Sequence, residues 1–325
     1  MLIRRRDLLQ FAASAAALPA LSGLAAAQTY PARPVRFVVG FAPGGPNDIL
    51  ARLIGEWLTS RLGQPFAVDN LPGGSSNPAT EVVVRAPPDG YTILLMGPAN
   101  AINASLFPKL SFDIRNDIVP AAGLTREALV LVVHPSVPAS TVPELIAYAK
   151  ANPGKLRMAM TGAGSSPHVS GKLFRLMTGA DVSELNYNGG GPALRDMIAG
   201  NADMMFEPMS ASIGPLRKKT LRALAVTTAQ RSETLPDLPL MSDTLPGYEA
   251  SATTGIGVPR GTLPEVIDIL NKAVNAAYAD PKMRARLTDT GGEPLPGSPA
   301  DFAKIFAGEI EKWGKVVKAS GMKPE

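Results

Sequence analysis

Apolar residues occur in short runs and in helically spaced patterns that alternate from about residue 30 to the C-terminus. Short apolar runs predict strands, here at positions 37–41, 66–68, 92–96, 129–133, 156–160, 202–206, 221–226 and 255–258. Apolar residues three or four apart predict helices, here at 48–61, 142–150, 168–177, 192–199 and 264–278. Strands and helices in alternation indicate an α/β protein with largely parallel sheets.

The N-terminal segment has a different pattern. Arginines at positions 4–6 precede a weakly apolar, alanine-rich stretch that ends in alanines at 25–27. This order predicts a secretory signal peptide over residues 1–27, and the arginines before Asp7 favour the twin-arginine type over the general secretory type. A retained membrane anchor is the alternative, but serine, proline and glycine interrupt the stretch, and alanine contributes little transfer energy. We expect a periplasmic protein.

Composition narrows the function classes. The chain has 325 residues, of which 45% are hydrophobic and 18% charged, as expected for globular domains with real cores. It has no cysteine, which excludes disulfides and thiolate chemistry, and its two histidines are too few for an all-histidine metal site. We expect no metal and no cofactor. The predicted signal supplies +2 of the formal net charge of +4, through three arginines and Asp7. We therefore expect no nucleic-acid partner.

Residues 37–58 contain the first candidate site. An apolar strand is followed by a Pro-Gly-Gly turn and then by a helical pattern. The first amide groups of a helix lack partners and lie at the positive end of its dipole, so this arrangement favours an anion. The turn has no lysine of a P-loop and no G-x-G-x-x-G pattern, which argues against a nucleotide phosphate.

Residues 156–177 repeat the same order of strand, small-residue loop and helix, and the loop offers hydroxyls on Thr161, Ser165 and Ser166. Either loop alone is weakly specific, because glycine-rich turns are common. In open α/β sheets, however, ligands bind at the carboxyl ends of strands. Two such loops therefore predict one cleft with a helix N-terminus on each side.

Neutral donors dominate both loops, which contain no lysine or arginine. Hydrogen bonds to a charged group contribute about 1.5–3 kcal/mol each, and micromolar affinity corresponds to about 8.2 kcal/mol. A few amides and hydroxyls are therefore enough to hold a small acid with one or two carboxylates. Asp48 either caps amide groups or pairs with Arg52, or it contacts an amino or hydroxyl group of the ligand.

Several motifs carry a resemblance to a known family. FAPGGPNDILAR, followed by LGQP, APPDGYTILL, TGAGSSPH, LRALAVTTAQRSETLPDLP and EKWGKVV, resembles the Bug-type extracytoplasmic solute receptors of tripartite tricarboxylate transporters. The resemblance implies a two-lobed, type II periplasmic-binding-protein fold, each lobe a mainly parallel sheet flanked by helices. Residues 28–127 with about 251–325 would form lobe one, and residues 128–250 lobe two. It also implies a protein that captures a small organic acid and delivers it to a membrane transporter. We expect a monomer.

The resemblance also implies ligand contacts through backbone amides, hydroxyls and bridging waters. The implied residues are Phe41, Ala42, Pro43, Gly44, Gly45, Pro46, Asn47 and Asp48 in the first loop, Pro98, Ala99 and Asn100 after the third strand, Thr161, Gly164, Ser165, Ser166 and His168 in the second loop, Tyr187 and Asn188 in a later turn, and Phe206.

The sequence departs from the family at Leu71 and Asn188, where basic residues are common, and at residues 75–78, where Ser-Ser-Asn-Pro replaces a plainer glycine-rich run. Fewer positive side chains near the cleft favour a less highly charged acid, or one with a neutral tail.

Other function classes remain as alternatives. A serine hydrolase needs a G-x-S-x-G elbow, and TGAGSSPH lacks that spacing. Catalysis also requires several convergent titratable groups, which the two loops lack, so we expect no hydrolase or lyase activity. A ligand-sensing receptor for a membrane signalling partner would use the same cleft.

His168 is either a structural residue or a ligand contact, and Trp57 and Trp313 are predicted core residues.

Overall fold

The computed structural model describes residues 30–162, 164–187, 189–232 and 234–324. The predicted signal peptide lies outside these residues. The described strands are β1 Val35–Val39, β2 Phe66–Asn70, β3 Thr92–Met96, β4 Ile118–Val133, β5 Arg157–Thr161, β6 Ser183–Tyr187, β7 Met204–Pro208, β8 Arg222–Val226, β9 Ser251–Pro259 and β10 Gly292–Pro294.

Helices connect most of these strands. They are α1 Pro46–Leu62, α2 Asn77–Val84, α3 Pro98–Leu106, α4 Ile114–Asp117, α5 Val142–Ala151, α6 Ser166–Thr178, α7 Gly190–Ala199, α8 Met209–Arg217, α9 Pro264–Ala279, α10 Pro281–Asp289 and α11 Pro299–Ser320. Many begin with proline, whose fixed φ suits the first helical position and whose missing N–H costs nothing there.

Three strands differ from the sequence-based prediction, one of them the three-residue β10, which no apolar run indicates. The predicted strand at 129–133 is only the second part of β4, because proline, glycine and charged residues interrupt the apolar pattern in its first part. β6 was not predicted because Ser183, Glu184 and Asn186 make it polar. It is an edge strand of the sheet and pairs only with β5 among the described strands, so a polar sequence is tolerated there.

The strands form one sheet with two halves. In the first half, β1 pairs in parallel with β2 and β3, and β9 lies antiparallel between β3 and residues 118–128 of β4, with β10 on the other side of β4. In the second half, β5 pairs in parallel with β6 and β7, while β7 and β8 lie antiparallel to residues 129–133 of β4. β4 therefore belongs to both halves.

Thr227 stabilises the crossing of β4, the place near residues 128 and 129 where this strand passes from the first half to the second. Its side chain is fully buried. The Leu129 amide donates to Thr227 Oγ1 at 3.0 Å, the Thr227 amide donates to the Leu129 carbonyl at 3.0 Å, and Thr227 Oγ1 donates to the Ala250 carbonyl at 2.6 Å. These bonds join β4 to the chain after β8 and to the chain before β9.

The pairing directions decide where the strand ends lie. β3 runs with the first part of β4, because both are antiparallel to β9. β7 runs against the second part of β4, so its last residue, Pro208, pairs with Leu129. The carboxyl ends of the parallel strands in both halves therefore point toward the crossing of β4.

A continuous apolar core lies on one side of this crossing. Its buried members come from both halves and include Val38, Leu94, Ile102, Leu131, Met160, Phe174, Phe206, Tyr248, Phe306 and Trp313. α11 contacts α3 of the first half and α6 of the second. Trp313 on α11 is fully buried, as predicted, and its Nε1 donates to Glu309 Oε2 at 2.7 Å. Trp57 packs at the edge of a separate core and donates to the Ala273 carbonyl.

Candidate functional site

The first glycine loop joins β1 to α1 in the way the sequence predicts. Gly44 adopts φ +80°, a conformation that favours glycine, and Gly45 precedes α1 in an extended conformation. The Gly44 amide donates to Asp48 Oδ2 at 2.8 Å, so the first turn of the helix is tied back to the loop.

Asp48 is almost fully buried and pairs with Arg52. Arg52 Nε lies 3.0 Å from Asp48 Oδ2 and Nη2 lies 2.9 Å from Oδ1. Because Arg52 donates to this carboxylate, the pKa of Asp48 lies below its usual value. Arg52 also reaches Asn70 Oδ1, and Asn70 Nδ2 donates to the Phe41 carbonyl at 3.0 Å. Asp48 thus has the structural role that the sequence analysis gave as one alternative, because it shapes the loop.

Fewer amides of this loop are available than its sequence suggests. Pro43 and Pro46 have no N–H, Gly44 donates to Asp48, and the Gly45 amide makes a long bond of 3.4 Å to the Ala42 carbonyl. α1 begins at Pro46, so the amides of its next two residues have no partner within the helix. The anion-binding capacity of this loop therefore centres on the first turn of α1.

The second glycine loop joins β5 to α6. Ser165 caps α6: its Oγ accepts from the His168 amide at 3.2 Å and donates to the Thr161 carbonyl at 2.7 Å, with Thr161 Oγ1 3.0 Å away. Capping is the usual role of a serine at this position. Ser166 and His168 are buried in the first turn of the helix. Two of the three predicted hydroxyls therefore also hold the loop in shape.

The loop after β3 is held by side-chain amides. Asn100 Oδ1 accepts from the Gly97 amide at 2.8 Å, and Asn100 Nδ2 donates to Thr80 Oγ1 at 2.8 Å. Thr80 Oγ1 in turn donates to the Ser76 carbonyl at 2.9 Å. Pro98 is half-buried and Ala99 is buried at the start of α3. Asn100 consequently links this loop to the turn before α2.

That turn is conformationally unusual. Residues 73–76 all have positive φ, and two of them, Ser75 at +52° and Ser76 at +71°, are not glycine. Such conformations cost about 1–3 kcal/mol each and occur often at ligand-binding sites. Ser76 lies directly against Gly40, since a Cβ atom at position 40 would stand 1.8 Å from Ser76 Oγ. The sequence departure at 75–78 therefore borders the end of β1.

Asn103 on α3 connects this turn to the second glycine loop. Its Nδ2 donates to the Ser75 carbonyl at 2.7 Å and to Asn77 Oδ1 at 2.9 Å. Its Oδ1 is buried without a hydrogen-bond partner. A Cβ atom at Gly164, which has φ +80°, would lie 3.2 Å from this oxygen. The structure thus brings the second loop against an element of the first half, close to the end of β1.

The remaining predicted residues lie in the second half. Tyr187 ends β6 and donates to Asp196 Oδ2 at 2.9 Å. The Phe206 ring is 1% exposed and stacks on Tyr248, with ring centroids 6.0 Å apart, so it is a core residue. Asn188 lies outside the described residues.

Sequence reasoning missed Glu207. This residue follows Phe206 in β7, so its side chain lies on the opposite face of the sheet. It is 2% exposed, and its Oε2 is buried without a hydrogen-bond partner. Burial and the nearby Glu127 raise the pKa of Glu207 to about 8. The available signal was one acid at the end of the otherwise apolar run MMFEP.

Two surface cavities lie away from these loops. One, of about 510 Å³, is lined by residues of α4 and α11, including Ile114, Phe306 and Ile310. The other, of about 400 Å³, is lined by residues such as Met209, Tyr278 and Arg284. Neither has the glycine-bearing helix entries of the predicted site among its lining residues.

Comparison with known proteins identifies the family. A family model described as "Tripartite tricarboxylate transporter family receptor" matches residues 50–322. The chain belongs to this receptor family. The predicted resemblance is thereby confirmed, and the matched range includes the second loop and Glu207.

Individual relatives of this receptor agree with the assignment. BugT of Bordetella pertussis is 34% identical over 310 residues, which cover 94% of this chain and 95% of BugT. The structure of R. palustris Rpa4515 with adipate is 36% identical, covers 91% of this chain and 100% of that chain, and has a TM-score of 0.81. MatC (Rpa3494) from Rhodopseudomonas palustris with bound malate is 32% identical, with 89% and 100% coverage and a TM-score of 0.77. The predicted α/β, two-lobed binding-protein fold is confirmed.

Two further observations concern only the residues that the structure describes. They include no cluster of three or more His, Asp or Glu side chains suited to a metal ion. Their helices are all too short or too polar to cross a membrane.

The contact between Gly40 and Ser76 gives a stability prediction. Gly40→Ala places a Cβ atom 1.8 Å from Ser76 Oγ and 2.7 Å from its Cα, so the turn must move. We expect the free energy of unfolding, measured by urea denaturation, to fall by about 1–3 kcal/mol. Gly162→Ala is the control, because a Cβ atom there meets nothing within 4 Å. Equal stability of the two variants would contradict the close contact.

Proposed function

We propose that this receptor is a periplasmic protein that binds a small organic acid with two carboxylates and delivers it to a tripartite tricarboxylate-type transporter. The observation that supports the proposal is the packing of the second glycine loop against α3, which is bonded to the turn beside the end of β1. The second loop meets α3 at Gly164, and α3 is hydrogen-bonded through Asn103 to the turn that covers the end of β1. Two helix N-termini, those of α1 and α6, begin at these loops.

The chemistry of the loops supports a carboxylate ligand. Their donors are amides and hydroxyls, and Arg52, the nearest arginine along the chain, is already paired with Asp48. Helix N-termini favour anions through unpaired amides and the helix dipole. One carboxylate would bind at the first turn of α1 and the other at the amides of Gly164 and Ser166. Bridging waters would complete the contacts.

The ligands in related structures support two carboxylates. Rpa4515 was solved with adipate and MatC with malate, both of which are dicarboxylates. We therefore propose a dicarboxylate for this receptor, and we keep the expectation that a tricarboxylate binds less well. Of the remaining predicted contacts, His168 and Tyr187 are proposed to line the cleft from the second half. We also propose that the receptor is monomeric.

The two halves of the sheet suggest which residues form each lobe. We propose that residues 28–127 with 251–325 and residues 128–250 are the two lobes, joined where β4 passes from β9 to β7. A ligand held by both loops would favour the closed arrangement. Because α11 contacts both α3 and α6, closure must preserve that packing and the motion should be small.

Ligand chemistry is the direct test. We expect isothermal titration calorimetry to give micromolar binding of adipate, which corresponds to about 8.2 kcal/mol. Hexanoate has the same carbon number but only one carboxylate, and we expect it to bind at least about tenfold more weakly, since charged hydrogen bonds contribute about 1.5–3 kcal/mol each. Citrate should also bind more weakly than adipate. No binding of adipate, or tightest binding of citrate, would contradict the proposal.

A pair of glycine variants tests the position of the site. Gly164 and Gly179 both have positive φ, so alanine should cost about 1–2 kcal/mol of stability at either position. Gly164 lies against Asn103, whereas a Cβ atom at Gly179, at the end of α6, meets nothing within 4 Å. We expect Gly164→Ala to weaken adipate binding at least about tenfold and Gly179→Ala to leave it unchanged. Equal affinities would move the site elsewhere.

Lobe closure can be measured in solution. We expect small-angle X-ray scattering to show a small decrease in the radius of gyration at saturating adipate, because ligand contacts are made to both lobes. Hexanoate at the same concentration is the control. An unchanged radius with adipate bound would argue against a closing hinge.

A further inference from the structure

Glu207 lies in a row of residues at one edge of the second half. β5 and β6 are paired up to Thr161 and Tyr187. β5 and β7 are paired up to Ala159 and Met205, and the same register continued by two residues would bring Glu207 next to Thr161. The three strands are parallel, and their carboxyl ends therefore meet at the same edge, which is where α/β sheets bind ligands.

Space beside the Glu207 carboxyl group is left open by glycine. Oε1 lies 3.6 Å from the place where a Cβ atom of Gly190 would stand. Gly190 begins α7, and residues 189–191 are all glycine. Oε2 is buried and has no hydrogen-bond partner. A buried carboxyl oxygen without a partner is costly, so its presence beside the N-terminus of a ten-residue helix points to a ligand-binding position.

Glu127 determines which form of this carboxyl group is present. Burial raises the pKa of Glu127 too, but its Oε1 accepts from Ser210 Oγ at 2.6 Å and from the Ser210 amide at 3.2 Å, and both bonds favour its charged form over that of Glu207. Glu207 has no such donors, so the proton of the pair belongs on Glu207. Its pKa of about 8, raised by burial and then by Glu127, agrees with a neutral group at pH 7. The elements packed against β7 carry further titratable or charged groups: Arg126 on β4, Arg157 on β5, His168, Lys172 and Arg175 on α6, Arg195 and Asp196 on α7, and Arg217 on α8, with Glu184 and Tyr187 on the neighbouring β6.

A neutral carboxyl group suits an anionic ligand in two ways. It removes the repulsion that a buried carboxylate would exert on the ligand, and it supplies a donor to an otherwise lysine- and arginine-free site. Hydrogen bonds from O–H to a carboxylate are short and about twice as strong as neutral ones. Enzymes use a buried neutral carboxylic acid as a donor in the same way.

We propose that Glu207 is a specificity-determining ligand contact, whose protonated carboxyl group donates a hydrogen bond to a carboxylate of the bound dicarboxylate. This inference rests on the function proposed above. It predicts that binding requires one proton on the protein, so the receptor loses affinity as that proton dissociates. A ligand with an ammonium group would require the charged form of Glu207 and would show the opposite dependence.

The test is adipate binding by calorimetry at pH 7 and pH 9. For a group with a pKa of about 8, the wild-type dissociation constant should rise about tenfold between these values. Glu207→Gln keeps a donor at every pH, so we expect it to bind within about threefold of the wild type at pH 7 and to lose the pH dependence. Glu309→Gln is the control: Glu309 is also buried with a raised pKa but lies on α11, so this variant should keep the tenfold change.

Proton uptake gives a second measurement that needs no variant. Adipate titrations at pH 8 in buffers of different ionisation enthalpy should show uptake of about half a proton on binding. Wild-type affinity that is constant or rises with pH, no proton uptake, or a tenfold loss retained in Glu207→Gln would each overturn the role of Glu207. Adipate binding at pH 7 would survive in those cases, so the proposed function would remain. Absence of adipate binding at both pH values would overturn the ligand class and this inference together.

Discussion

The site depends on the shared pairing of β4. Because one strand pairs with β9 in its first part and with β7 and β8 in its second, the carboxyl ends of the parallel strands in both halves point toward the place where β4 passes from one half to the other. The hydrogen bonds of Thr227 to Leu129 and Ala250 fix this crossing. Without it, each glycine loop would be an ordinary strand-to-helix turn. With it, both loops lie toward the same part of the molecule, where we propose that the amide groups at the two helix N-termini bind one ligand.

Polar side chains in the loops after β1, β3 and β5 mostly position other groups. Asp48, Asn100 and Ser165 each accept hydrogen bonds from nearby backbone amides, and Arg52 is consumed by Asp48. Donors for an anion are therefore main-chain amides held in place by side chains. A carboxyl group that is neutral at pH 7 fits this arrangement, since it adds a donor without adding charge. The receptor would recognise negative charge while keeping few charged groups of its own in contact with it.

How far the sequence predicted the structure varied by element. The strand at 92–96 coincides with β3, and the helix at 142–150 lies within α5, because both have strong periodic patterns. Both glycine loops were located, since glycine, proline and hydroxyl residues mark strand-to-helix turns. That the Gly44 amide donates within its own loop was not evident from the sequence, because the bond depends on the folded position of Asp48. β6, β10 and the first part of β4 were missed, since their stability comes from neighbouring strands and is not encoded in the local sequence pattern.

The sequence by itself determined the α/β class, the two helix-entry loops, the neutral character of their donors and, through its motifs, the receptor family. These properties are local in the chain, so periodicity and residue type suffice to specify them. Only the tertiary structure decided that Ser76 packs on Gly40, that Gly164 meets Asn103, and that Glu207 lies buried beside Gly190. Such contacts join residues far apart in the chain, and burial and desolvation, which set the pKa of Glu207, arise only when those residues pack together.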